Sequence, residues 1–170
     1  MIKNRSYDTI CHEHLEYYSL KSLKYLLDKA GLKIINLSFN QINGGSIEVD
    51  VAKKKSKLSE CKHLINWVLK SESLNKYNEI KKHKQFFKEC QNHKILLKEL
   101  LVTLKKQNKK ILGYGASTKG NVLLQYCNID SKLLSYISEV NRFKFNKYTP
   151  GSNIKIISEK EAKLKNPDYL

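Results

Sequence analysis

The sequence predicts an α/β chain in which an incomplete, Rossmann-like parallel sheet follows long connector helices and a β-hairpin. Three observations predict it. Two β-rich runs flank an Asn43-Gly44-Gly45 turn signal, the stretch from about Ser56 to Gln107 contains neither glycine nor proline, and the residues after Lys109 alternate strand-like and helix-like segments. Each element has its own reason. From Ser19 to Ala30, Leu20, Leu23, Leu26 and Leu27 form a helical stripe, with Ser19 placed to cap it and Gly31 to end it. Leu32 to Phe39 is rich in branched residues and reads as a strand. Ile47, Val49 and Val51 alternate with Glu48 and Asp50 as its hairpin partner. This front helix and hairpin show no obvious core of their own.

The glycine-free stretch carries two helical stripes, one through Leu64, Ile65, Val68 and Leu69 and one through Ile95, Leu96, Leu100 and Val102. It reads as one or two long helices, the second case placing a break near Ser71 to Asn75. Lys110 to Tyr114 then reads as a strand, Gly115 to Gly120 as a glycine-bearing turn, and Asn121 to Tyr126 as helix. Leu133 to Val140 is the next strand, and a loop containing Tyr148, Pro150 and Gly151 follows it. Ser158 to Leu164 is a short helix with Ser158 and Glu161 at capping-box positions, and Pro167 to Leu170 resembles the start of another strand. A doubly wound sheet takes more strands than these, so the chain is expected to be a piece of a longer enzyme.

The 170 residues carry 32 basic and 16 acidic side chains, a net charge of +16, with 41% hydrophobic residues. That hydrophobic fraction is enough for a core and argues against intrinsic disorder. No run approaches the ~18 apolar residues of a membrane span, and Met1 to Asp8 lacks the apolar stretch of a secretory signal. Cys11, Cys61, Cys90 and Cys127 have no paired spacing and read as reduced thiols in a cytoplasmic protein. The positive charge is nearly all lysine, with only Arg5 and Arg142 as arginines. Phosphate and base recognition usually employs the bidentate arginine fork, so a solvated lysine surface is favoured over nucleic-acid binding.

Two clusters carry chemistry. The first is Cys11-His12-Glu13-His14, with Glu16, Tyr17 and Tyr18 close behind. His12 and His14 share a face in an extended segment, as metal ligands can, but the other histidines lack matching spacing. The same residues suit general acid–base catalysis, in which an imidazole moves a proton and a carboxylate orients it. They also suit a polar loop that merely satisfies backbone groups. The second cluster is Gly113-Tyr114-Gly115-Ala116-Ser117-Thr118-Lys119-Gly120-Asn121, set between strand and helix. Its glycines, hydroxyls and lysine at a helix start could cradle a diphosphate or a nucleotide sugar. It matches neither the dinucleotide fingerprint nor the P-loop, and a tight packing turn is the competing reading. Tyr148-Thr149-Pro150-Gly151 by itself is a rigid turn.

In combination, the run Tyr7 to Leu15, Asn43-Gly44-Gly45-Ser46, Gly113 to Asn121 and Tyr148 to Gly151 resembles the S-adenosylmethionine-dependent sugar C-methyltransferase family in both order and spacing, over essentially the whole chain. The resemblance implies a fragment of an enzyme that methylates a carbon of a nucleotide-linked keto-sugar. Residues 1–53 would end the methyltransferase domain, 54–108 would be the helical connector, and 109–170 would form a partial C-terminal Rossmann-like domain. It implies that the main S-adenosylmethionine loop, and a zinc-binding N-terminal domain, lie outside this chain, whose isolated activity would be low. The missing N-terminal part of the same enzyme would be its partner, with no nucleic acid, membrane or metal of its own. His14 would be the base, Glu13 would orient it or contact the sugar, and His12 is the reserve base. Gly115, Ser117, Thr118, Lys119 and Asn121 would hold the substrate phosphates. Many members carry tyrosine where this chain has Cys11, which bears on how the ketone is polarised. A non-catalytic nucleotide-sugar binding module is the alternative.

Overall fold

A computed structural model describes all residues, 1–170. Ten regular elements follow one another: α1 (Leu20–Lys29), β1 (Leu32–Asn40), β2 (Ser46–Lys53), α2 (Lys62–Leu74), α3 (Ile80–Lys106), β3 (Gly113–Tyr114), α4 (Thr118–Tyr126), β4 (Tyr136–Glu139), β5 (Lys155–Ser158) and α5 (Glu159–Leu164). None of the helices is long and apolar enough to cross a membrane. The chain divides into two compact units. The first comprises Met1–Tyr7 and His14–Lys88, and the second comprises Asp8–Glu13 and Glu89–Leu170.

In the first unit, Ser19 caps α1 by accepting the Ser22 N–H, and Gly31 leaves the helix at φ +72°. β1 and β2 form the antiparallel hairpin, with a bulge between Ile34 and Asn36. Its connection is a 3-10 turn over Ile42–Gly44, with Asn43 at φ 56°. Gly44 is required by contact as well as by its own positive φ, since a Cβ there would lie 2.2 Å from the Ser6 Oγ. Asn4 Nδ2 donates to the Gly44 carbonyl at 2.7 Å, tying the N-terminal segment to the turn.

The expectation that the front helix and hairpin lack a core is corrected by α2. Leu20, Ile34 and Leu37 are buried together with Ile65 and Val68 of α2, and Leu27, Ile47, Val49 and Leu69 pack around them. Ile65, Val68 and Leu69 of the expected stripe are therefore the third wall of this core, while Leu64 is exposed, and burying them stabilises a two-stranded hairpin that would be marginal alone.

A buried acid reinforces the join. Glu72 of α2 is 7% exposed and accepts the Leu20 N–H at 2.5 Å and the Lys21 N–H at 3.1 Å. These are first-turn donors of α1 that no intrahelical carbonyl reaches, and the helix dipole favours a carboxylate beside them. Glu72→Leu is expected to cost about 1–3 kcal/mol, because the buried Leu20 donor and the part-buried Lys21 donor lose their acceptor, and Glu72→Gln to cost less. Urea denaturation followed by Trp67 fluorescence checks this, since the single tryptophan belongs to the same unit.

The second unit is built on the parallel order β3-β4-β5. β3 is shorter than Lys110 to Tyr114 because only Gly113 and Tyr114 pair with β4. Ile111 instead makes a parallel bridge to Tyr169, and the Leu112 N–H donates to the Tyr169 carbonyl at 3.0 Å. Alternate residues of a strand address opposite neighbours, so Tyr169 lies on the far side of β3 from β4. The chain thus runs β3, β4, β5 in one direction and then returns across β3, which is the reversal expected of a Rossmann-like sheet. Leu101 of α3, Leu124 and Cys127 of the α4 end, Ile137 and Ile156 of the sheet, and Ile154 form its main core. Leu112, Ile157 and Ala162 make a smaller one beneath α5. Ser158 and Glu161 form the expected capping box.

Candidate active site

Gly115 to Ser117 form the turn at the carboxyl end of β3, where the sheet order reverses. Open α/β sheets bind ligands at that position. Gly115 adopts φ +88°, and its N–H is held by the Ser138 carbonyl at 2.7 Å. Ser117 is the N-cap of α4 and accepts the Gly120 N–H at 3.0 Å, which points the start of the helix out of the turn. A Cβ on Gly120 would stand 3.4 Å from both the Gly115 carbonyl and the Ser117 Oγ, so the first turn of α4 lies within van der Waals reach of the loop. The N–H groups of Thr118 and Lys119 lie in the first helical turn, outside the intrahelical ladder, and are the donors such a site offers an anion. The Asn121 side-chain oxygen is buried without a hydrogen-bond partner. Tyr114 is largely exposed and donates to Glu159, whose hydrogen bond and charge hold its phenol pKa above the ordinary value, so it remains a proton donor.

Two residues missed at the sequence level organise this turn. Glu139, at the carboxyl end of β4, is 8% exposed and accepts the N–H groups of Ala116 at 2.9 Å, Val140 at 2.8 Å and Asn141 at 3.0 Å. The Asn141 N–H foremost, with those of Ala116 and Val140 and the nearby Lys144, holds its carboxyl below the ordinary value. Lys144 donates to the Ala116 carbonyl at 2.7 Å and sits 3.5 Å from Glu139 Oε2. The available signal was an acid closing a strand roughly 20 residues after a glycine-rich turn, the place where dinucleotide folds carry an acidic side chain.

The Thr149-Pro150-Gly151 turn supports the same loop from behind. Thr149 and Ser152 are buried, their hydroxyls are 2.7 Å apart, and the Thr149 Oγ1 accepts the Ile154 N–H at 2.9 Å. Gln125 of α4 donates to the Pro150 carbonyl at 2.9 Å. The motif that reads as a turn in isolation is therefore an anchor for the helix that follows the glycine loop.

Of the first cluster, Cys11, His12 and Glu13 belong to the second unit and His14 to the first. Glu13 is brought to the glycine loop: the Thr118 Oγ1 donates to Glu13 Oε1 at 3.4 Å, joining motifs 105 residues apart in sequence. Cys11 Sγ and the Glu13 carboxylate lie within 4.8 Å of each other. His12 and Glu13 are exposed and Cys11 half-buried. His14 is half-buried in its own unit, its ring 6.4 Å from that of Tyr17 and tilted by 56°. All of these side chains reach solvent, as groups that meet a substrate must.

The description "C-methyltransferase C-terminal domain" matches residues 41–170. Across 169 residues, 99% of its length, the chain is 31% identical to the C-methyltransferase NovU of Streptomyces niveus, and it spans 40% of that protein. The chain belongs to the C-methyltransferase family. The glycine loop, Glu139, Lys144 and the Thr149-Pro150-Gly151 turn all fall inside the matched C-terminal domain. The cluster Cys11 to His14 precedes it, within the stretch shared with the longer C-methyltransferase. Membership implies S-adenosylmethionine as methyl donor. The residues here do not fit its adenosine, because both acids at the strand tips are engaged: Glu139 accepts backbone donors on both carboxylate oxygens and Glu159 accepts from Tyr114.

Proposed function

We propose that this chain works as part of a longer S-adenosylmethionine-dependent C-methyltransferase that methylates a carbon beside the ketone of a nucleotide-linked keto-sugar. The contact between Glu13 and Thr118 carries the reading. It sets Glu13 beside a glycine turn at a topological switch point, so a ligand whose phosphates rest on that turn would present its sugar toward Glu13. Thr118 and Lys119 offer backbone donors and side chains to the diphosphate. A ligand hydroxyl would supply the donor that the buried Asn121 oxygen lacks, which matters because an unpaired buried acceptor is costly.

His14 removes the proton from the activated carbon, Glu13 orients the imidazole or binds a sugar hydroxyl, and His12 is the reserve base. The developing enolate oxygen needs a donor. Cys11, with its weak S–H, is a poor one, and Tyr17, whose ring lies 6.4 Å from that of His14, or Tyr18 would take that part. S-adenosylmethionine supplies the methyl group from residues outside this chain, where we also place the family's zinc-binding domain. A boundary near residue 53 and another near 108 would set off the helical connector from a C-terminal portion that holds the nucleotide, and a cytoplasmic enzyme fits cysteines that form no disulfide.

Incubating the full-length polypeptide with S-adenosylmethionine and nucleotide-linked keto-sugars, and reading the products by mass spectrometry, tests this. One methyl group gained on a sugar carbon is expected. Methylation confined to oxygen or nitrogen would contradict it.

A further inference from the structure

The end of β4 holds an arrangement that the catalytic reading does not use. Ala116 stands in the middle of the glycine turn, and both of its backbone polar groups are taken by charged side chains from the loop after β4: its N–H by Glu139 and its carbonyl by Lys144. The two side chains are themselves 3.5 Å apart, and Glu139 also collects the Val140 and Asn141 N–H groups, so the two loops are laced into one piece. In a dinucleotide site the acid at this position reaches outward to ribose hydroxyls. Here it is nine-tenths buried and turned inward, with no oxygen left for a ligand.

We propose that Glu139 and Lys144 are positioning residues that clamp Ala116 and thereby fix the turn from Gly115 to Ser117 in its anion-accepting form. Two consequences follow from the geometry. With its N–H spent on Glu139, Ala116 gives the ligand nothing, and the phosphate is left to the first-turn donors of Thr118 and Lys119. With Gly115 at φ +88° and no side chain to brace it, the turn is held by the clamp together with the Ser138 carbonyl, which accepts the Gly115 N–H. Preorganisation of this kind lowers the cost of binding without touching the ligand.

This inference rests on the phosphate reading of the loop, and the experiment separates the two. Full-length wild type, Lys144→Met, Lys144→Arg and Glu139→Gln are titrated calorimetrically with uridine diphosphate and thymidine diphosphate, and amide hydrogen exchange at Ala116 is followed by mass spectrometry on overlapping peptides. The expected result is a dissociation constant raised on the order of 10-fold in Lys144→Met, the loss of one charge-assisted hydrogen bond, with recovery in Lys144→Arg. Faster Ala116 exchange is expected in both Lys144→Met and Glu139→Gln, with thermal unfolding of Lys144→Met unchanged, so that a general loss of folding is excluded as the cause. Wild-type affinity in Lys144→Met, or unchanged Ala116 exchange in both variants, overturns the clamp. Failure of wild type to bind either diphosphate overturns the phosphate reading itself, and with it the ligand role of the clamp.

Discussion

Replacing His14 with alanine in the full-length enzyme is expected to lower kcat for carbon methylation by about 10²–10⁴-fold, the contribution of a positioned general base. A hydrogen on carbon beside a ketone leaves only when a base and a stabilised oxyanion act together. The sequence around His14 supplies an imidazole, a carboxylate one residue before it and a half-exposed tyrosine ring beside it. A base that accepts a proton in the transition state and binds little else puts the loss on kcat, so KM for a nucleotide-sugar substrate is expected to change far less. Glu13→Gln is expected to cost less than His14→Ala, since the amide still accepts from Thr118 but no longer carries charge toward the imidazole. Steady-state kinetics on the two variants check the ordering. Equal kcat in His14→Ala and wild type would remove His14 from the reaction.

Ile154→Ala is expected to destabilise the second unit by about 2–5 kcal/mol, the cost of deleting a large side chain from a closed core. Ile154 is fully buried against Leu124, Cys127, Ile137 and Ile156, and its backbone is pinned on both polar groups by Thr149. Little relaxation is available to fill the cavity. Chemical denaturation read by far-ultraviolet circular dichroism, beside Trp67 fluorescence, separates the units: the only tryptophan lies in the first unit, so its transition reports there while the second unit melts early. A loss below 1 kcal/mol would mean that the site collapses freely, contrary to the packing seen around it.

The parts of the fold that were legible in the sequence are those governed by local rules. Ser19 and Ser158 cap their helices as their spacing says, Gly31 ends α1 and the hairpin pairs as its alternation requires. The break expected near Ser71 to Asn75 comes slightly later, since α2 runs on to Leu74 and the gap before α3 is Asn75 to Glu79. Several helix ends were less visible, because asparagines at positive φ take the place that glycine usually fills: Asn108 after α3, Asn128 after α4 and Asn166 after α5. Long-range partners were not legible at all. Nothing local marks Glu72 as the cap of a helix 52 residues earlier, and nothing marks Glu139 as the acceptor for Ala116, since a polar residue at a strand or helix end is usually solvated.

The candidate site divides in the same way. The two clusters were readable because glycine, hydroxyl, imidazole and carboxylate side chains are concentrated at element boundaries, where chemistry is usually carried. That Glu13 reaches Thr118 is a tertiary fact with no trace in spacing. The Thr149-Pro150-Gly151 turn earned its meaning only from Gln125, which packs on Gly151, where a Cβ would lie 3.0 Å from the amide carbon.

Proton abstraction at the sugar carbon is tested most directly by isotope exchange. The full-length enzyme is incubated in deuterium oxide with a nucleotide-linked keto-sugar and no methyl donor, and deuterium is followed by nuclear magnetic resonance at the carbon beside the ketone. Wild type is expected to exchange that hydrogen and His14→Ala to leave it in place. Exchange at the same rate in both proteins would contradict the assignment of the base.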